Sequence, residues 1–327
     1  MSIPKILITG SLGLFALIGI MALMKKPDNS QVVAPAVVTE TAVIAMPTPV
    51  SESKPQIVTV PVTAQAPIAS AHEDFPEIDR VFQLFSTGSS KLPIVETITY
   101  TSTVPWLKGR PAWIADYASH YHTSRHFIAR SLNKKPDYFT QKVFEGSQFN
   151  VFRLDKNIQF YLLCDLARLK MGFYYVDLDT NERVLLKTYR VSLGKLDATK
   201  PSGSLTPLGR YALGDRIAVY KPGMMGNVGD KSCEMVGLFG TRWIPFSQEK
   251  GFGIYGIPWG IDGRAGELTE QRQLVGQYNT DGGIRMLSED MEELFSIVVS
   301  KPTFIEIVKD FKDAKLPGRE VAAPIRN

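Results

Sequence analysis

The sequence predicts a mainly β, α+β fold for its C-terminal half, and three observations carry that expectation. Residues 171–178 (MGFYYVDL) and 183–191 (RVLLKTYRV) are rich in aromatic and β-branched side chains. They flank Asp179-Thr180-Asn181-Glu182, which has the chemistry of a tight turn, so the pair reads as a hairpin. Further strand-like runs follow at 209–213, 216–220, 252–257 and 303–308. One helix is well marked. Residues 290–299 open with acidic side chains, which suit a helix N-terminus, and place Met291, Leu294, Phe295 and Val298 on one face before Pro302 stops the run.

Ahead of this β region the composition changes twice. Residues 6–24 are an almost unbroken apolar run without charge, and at about 1.5 Å per residue they span roughly 28 Å, close to the ~30 Å hydrocarbon core of a bilayer. Residues 1–26 are therefore expected to be an N-terminal transmembrane anchor. A cleaved signal is the rival reading, opposed by the absence of an Ala-x-Ala-like site and by Lys25 and Lys26 just after the run. Lys5 and the terminal amine balance those two lysines, so loop charge does not orient the span. Residues 27–74 are rich in Pro, Val, Ala, Thr and Ser. Frequent proline removes amide donors and blocks helix, so a flexible linker is expected. About fifty such residues reach ~40 Å as a coil and ~150 Å as polyproline II.

Residues 75–149 read as a mixed helical region, with a helix expected over 113–132 from Trp113, Ile114, Tyr117, Tyr121, Phe127 and Ile128. It carries His120, His122 and His126, of which the last two would stand one helical turn apart. No carboxylate or cysteine completes a ligand set there, so surface histidines on an ordinary helix are expected, and no metal. Residues 150–312 hold the β domain, and 313–327 read as a loosely ordered tail. A net charge of +4 without a Lys/Arg run gives no nucleic-acid footprint. The two cysteines, Cys164 and Cys233, have no metal-ligand spacing. They are either unpaired or, in an oxidising compartment, a disulfide.

Three stretches of the β region are more specific. In order they are Gly203-Ser204-Leu205-Thr206-Pro207-Leu208-Gly209-Arg210-Tyr211; Trp243-Ile244-Pro245-Phe246, continuing to Gly253-Ile254-Tyr255-Gly256; and Thr280-Asp281-Gly282-Gly283-Ile284-Arg285-Met286, directly before the helix. Their order and spacing resemble the L,D-transpeptidase (YkuD-type) catalytic domain of bacterial cell walls. That family has a threonine-proline-glycine strand, an Ile-His-Gly strand and a Ser-His-Gly-Cys-(any)-Arg loop leading into a helix. The resemblance implies an L,D-transpeptidase-like β-sandwich with the marked helix after the motif loop. It also implies a cell-envelope location, with the domain on the periplasmic side of its membrane anchor, and no cofactor.

The resemblance fails where the chemistry lies. Gly283 stands in the place of the nucleophilic cysteine, Asp281 in that of the motif histidine, and Tyr255 in that of the histidine of Ile-His-Gly; Thr280, Gly282, Ile284 and Arg285 keep the pattern. A thiolate mechanism needs a thiol and a base within hydrogen-bond reach, and both are missing. What remains is the frame of a binding site. The Gly282-Gly283 turn could present backbone N–H groups, Arg285 could pair with a stem-peptide carboxylate or with Asp281 or Glu289, and Trp243, Tyr255 and Trp259 could form an aromatic wall. The expectation is an inactive domain that binds peptidoglycan, through its stem peptide, or a partner. Two alternatives stay open: an active transpeptidase with a relocated nucleophile, Cys233 or Thr280, and an inert scaffold whose binding lies in 75–149.

Overall fold

In the six-stranded sheet of this protein the expected hairpin supplies two adjacent inner strands, and its turn is fastened by the residues that announced it. The structure, a computed structural model, describes residues 74–133, 142–214, 217–247, 251–261 and 268–322; the expected anchor, nearly all of the linker and residues 323–327 lie outside the described residues. The strands are β1 (Val95–Thr99), β2 (Gln148–Phe152), β3 (Ile158–Asp165), β4 (Lys170–Asp177), β5 (Glu182–Arg190), β6 (Leu193–Gly194), β7 (Gly209–Leu213), β8 (Ala218–Val219) and β9 (Met225–Val228). They continue as β10 (Lys231–Glu234), β11 (Arg242–Pro245), β12 (Gly253–Gly256), β13 (Trp259–Ile261), β14 (Leu268–Glu270), β15 (Tyr278–Thr280), β16 (Ile284–Met286), β17 (Thr303–Val308) and β18 (Arg319–Glu320). At the β4–β5 turn the Asp177 carboxylate accepts the amides of Asp179 (3.0 Å) and Thr180 (3.3 Å), and Asn181 takes φ +53°. Asx side chains close turns in this way because they stand in for a backbone acceptor.

The large sheet runs β18-β5-β4-β3-β17-β7, with β17 parallel to β3 and antiparallel to β7. A second sheet runs β16-β12-β11-β8, with β12 parallel to β16. Strand side chains alternate between faces. Phe160, Leu162, Phe173 and Leu186 of the first sheet therefore share one core with Ile244, Ile254, Ile284 and Met286 of the second. This is the sandwich that the resemblance implied. Helix Ser288–Val298 packs Met291, Leu294, Phe295 and Val298 into the same core, which bears out the helix read from the sequence with its start two residues earlier. The opposite face of the large sheet, including Tyr161, Leu163, Tyr174, Val176, Leu185 and Phe304, is covered by Phe75, Ile78, Phe311 and Leu316.

The structure corrects two local expectations. The single helix over 113–132 is two helices, Ile114–His120 and Arg125–Asn133. His122 adopts φ +46° between them, Thr123 N–H closes the first helix on Ala118 O (3.0 Å), and the Ser124 hydroxyl caps the second by accepting Phe127 N–H (3.0 Å). Thr-Ser is a stop-and-restart signal that the apolar spacing hides. His122 and His126 thus lie on different elements, the turn and the second helix. His120 stacks on Trp106 (4.4 Å), and His126 lies edge-on to Phe295 (5.2 Å). Burial, with Arg242 and Arg125 nearby, pushes the His126 pKa down to about 4. The second correction is the tail. Residues Phe311–Asp313 form a 3₁₀ turn and β18 pairs in parallel with β5, so the chain is fixed as far as residue 320. Packing also runs across residue 150, because Leu84, Ile94 and Phe127 belong to the core of the β-sandwich.

Candidate functional site

The three motif stretches meet at one turn. Residue 282 has φ +116°, a conformation open to glycine, and a Cβ there would fall 2.2 Å from the Phe252 ring and 2.8 Å from Leu205 O. Leu205 is brought in by its neighbours. The Ser204 hydroxyl donates to Gly194 O (2.6 Å), and the Thr206 hydroxyl accepts Gly194 N–H (2.7 Å). β6 in turn pairs with β15, and Lys195 N–H donates to Thr280 O (2.8 Å). The loop from 280 to 283 is locked by one hydroxyl. Thr280 Oγ1 donates to Gly283 O (2.6 Å) and accepts Gly282 N–H (3.3 Å), and the residue is only 1% exposed. This hydroxyl is committed to the turn, so Thr280 is the brace of the loop and is not placed as a nucleophile. The same bond takes up the Gly282 amide that the sequence offered as an oxyanion donor.

Register sets the side chains of the site. Tyr255 on β12 lies opposite Trp243 on β11 and Arg285 on β16, so the three are neighbours across adjacent strands. The Tyr255 and Trp243 rings stack at 5.7 Å, Phe239 meets both (5.6 and 4.7 Å), and the Arg285 guanidinium lies 5.7 Å from the Tyr255 ring centre. Trp259 makes no ring contact with this group, and its indole Nε1 is buried without a partner. The aromatic wall is therefore Trp243, Tyr255 and Phe239, with Phe239 missed by the sequence reading. It came into reach because the four-residue helix Val236–Phe239 turns it towards β11 and β12, a placement that local sequence does not signal.

The position in place of the cysteine is shaped by Tyr255. A Cβ on residue 283 would lie 2.7 Å from Tyr255 Cε1 and 3.0 Å from Gly253 O, so the phenol ring stands where a side chain at 283 would begin. Tyr255 is 7% exposed, and burial raises its phenol pKa against the opposing pull of Arg285 and Thr280. The group keeps its proton at neutral pH and does not serve as a base. Asp281 is exposed and paired with Lys195 (2.7 Å). Glu289 is held by Arg272 (2.5 Å). Neither partner proposed for Arg285 from the sequence is the one found. Its Nη1 donates to Asn279 Oδ1 (2.9 Å), its Nε is buried without a partner, and among the described residues no carboxylate lies within ion-pair distance of it. Cys164 and Cys233 are both free. Burial pushes the Cys164 thiol up, and half-buried Cys233 on the β9–β10 hairpin has, among the described residues, Lys231 O (3.8 Å) alone in bonding range.

A two-sheet sandwich with these three stretches in this order defines a class, and the sequence match agrees. Residues 159–307 match the YkuD family, the L,D-transpeptidase catalytic domain, a family that acts on peptidoglycan. The chain is also similar to several solved structures. One is the helical cell shape determining protein Pgp2 from Campylobacter jejuni, at 17% identity and TM-score 0.33 over 50% of this chain and 51% of that one. Another is Bd1075 from Bdellovibrio bacteriovorus, at 14% identity and TM-score 0.32 over 46% of this chain and 48% of that one. The chain thus spans about half the length of these two. No curated protein matches it. Among the described residues no helix is long and apolar enough to cross a membrane.

Proposed function

We propose that this is a cell-envelope protein whose YkuD-type domain recognises peptidoglycan through the stem peptide and does not transfer it. The observation that carries the reading is the Tyr255 ring standing against Gly283. The loop offers neither thiol nor imidazole, and the space a thiol would need is filled. The binding half of the reading rests on Arg285, a half-buried guanidinium with an unpartnered Nε beside an aromatic wall, which suits the carboxylate of a peptide. The apolar run 6–24 and the proline-rich stretch after it support a membrane tether with the domain on the periplasmic side.

Three measurements test this. The full-length protein mixed with a carbapenem should show no covalent adduct by intact-mass spectrometry; an adduct that disappears in Cys233→Ala would mean a relocated nucleophile. The protein should be retained on purified sacculi, and Arg285→Ala should weaken that retention about ten- to a hundredfold, the range for a charge-assisted hydrogen bond, with an unchanged melting temperature. If wild-type protein is not retained, the binding half fails. In cell fractionation the protein should stay with membranes in high salt and leave them in detergent.

A further inference from the structure

A second concavity, lined by none of the motif residues, lies where β4 begins and β5 ends. It has a volume of ≈ 260 Å³, and its walls include Glu77, Arg168, Lys170, Thr188, Arg190 and Gly276. Lys170 and Arg190 are direct partners in the antiparallel ladder, so both side chains leave the same face of the sheet. Like charges directly opposite each other repel and destabilise a strand pair unless something answers them. The three cations here are answered unequally. The charge of Arg168 is answered twice, by Asp165 at 2.7 Å and Asp310 at 3.1 Å, and its guanidinium lies over the Phe311 ring at 4.8 Å. Lys170 has Glu77 at 2.6 Å, a carboxylate 70% exposed to solvent, and such a pair gives way easily. Arg190 has no carboxylate within ion-pair distance among the described residues.

The wall opposite Arg190 is cut to receive it. Gly276 has φ +87°, and a Cβ there would fall 2.0 Å from Arg190 Nε, so the guanidinium lies directly against the glycine backbone. The Thr188 hydroxyl is turned away and donates to Pro76 O (2.5 Å). The mouth therefore presents one uncompensated guanidinium and one loosely held ammonium. Its volume admits a single compact head group and no bulky side chain, since drug-sized pockets begin near ~300 Å³.

We propose that this pocket is an oxyanion site, in which Arg190 holds a carboxylate or phosphate group with two parallel N–H donors and Lys170 supplies the second charge, released from Glu77. A planar guanidinium fork matches either group, which is why arginine recognises both. The site is independent of the motif loop and goes beyond the reading given for it.

Calorimetric titration of the full-length protein at fixed ionic strength tests the proposal, with inorganic phosphate in one arm and N-acetyl-alanine, a monocarboxylate, in the other. At least one probe should bind saturably, and the stronger arm identifies the head group. Arg190→Gln should weaken that binding at least about tenfold, Lys170→Gln by a smaller factor, and Lys231→Gln, on a distant hairpin, not at all. Melting curves without ligand establish that each variant is folded. Should Arg190→Gln be unfolded, Lys170→Gln decides alone. Binding of neither probe, or affinity unchanged in a folded Arg190→Gln, overturns the site.

Discussion

Gly283 and Tyr255 are one feature shared by two strands. The glycine leaves room for the ring, and the ring removes room for any other residue at 283, since a Cβ there would lie 2.7 Å from Tyr255 Cε1. Restoring a cysteine alone would therefore not restore a site. Gly283→Ala is expected to destabilise by about 1–3 kcal/mol through overpacking. In a Tyr255→Leu background the same change should cost clearly less, and urea denaturation of the four species gives the coupling. Additive costs would show that the ring and the glycine are independent. Gly282→Ala should be worse than Gly283→Ala, because it adds a φ of +116° to a 2.2 Å approach to Phe252. At this scale the sequence told part of the story. The missing thiol and imidazole were legible in Gly283, Asp281 and Tyr255, whereas the contact between 255 and 283 was not, because β12 and β16 meet only in the folded sheet.

Among the elements, helix Ser288–Val298 is clasped to β5 by a charge cluster. Lys187 Nζ reaches Glu293 at 2.7 Å, Asp290 at 3.1 Å and Asp79 at 3.3 Å, and the Tyr189 hydroxyl donates to Glu293 at 3.2 Å. Burial raises the pKa of Asp290 and Glu293 despite the attraction of Lys187. Burial works against the Lys187 ammonium too, yet Glu293 and Asp290 hold its pKa above the ordinary value. The signs follow. The lysine is charged throughout the neutral range and its stabilisation is lost only at alkaline pH. The two carboxyls bind protons more tightly folded than unfolded, so their contribution is present in acid and falls as pH rises through their folded pKa values. Lys187→Met would leave three carboxylates facing one another and should cost about 3 kcal/mol at neutral pH. The deficit should shrink as pH falls and the carboxyls take up protons; a deficit that does not change on acidification would count against the cluster. Nothing in the local pattern announced this clasp, since its members come from residues 79, 187, 290 and 293. The elements it joins were legible: the hairpin through its alternation and Asx turn, and the helix through Met291, Leu294, Phe295 and Val298. The break at His122 was missed because apolar spacing continued across Thr123-Ser124, where the caps sit.

For the molecule as a whole, the outer face of the large sheet decides how far the folded unit extends. Tyr161, Leu163, Tyr174, Val176 and Leu185 would face water there without the cover given by Phe75, Phe311 and Leu316, the two phenyl rings meeting edge to face at 5.2 Å. The C-terminal strap also answers buried polar groups. Phe311 N–H donates to fully buried Asp165 (3.2 Å), Asp310 pairs with Arg168 (3.1 Å), and Arg183 pairs with Glu320 (3.1 Å) beside the β5–β18 ladder. None of this shows in the sequence, because a two-residue strand has no periodicity and owes its place to a distant partner. Two deletions separate a strap from a loose tail. Removing residues 322–327, which keeps Val321 N–H on Arg183 O (2.9 Å), should leave urea stability within about 0.5 kcal/mol of wild type. Removing 310–327 should lose several kcal/mol, because burying one large apolar side chain contributes about 1.5–3 kcal/mol and stripping a hydrogen bond from a buried carboxylate adds to the loss. Equal stability of the two deletions would mean that the sheet does not need its cover and that the folded unit ends at β17.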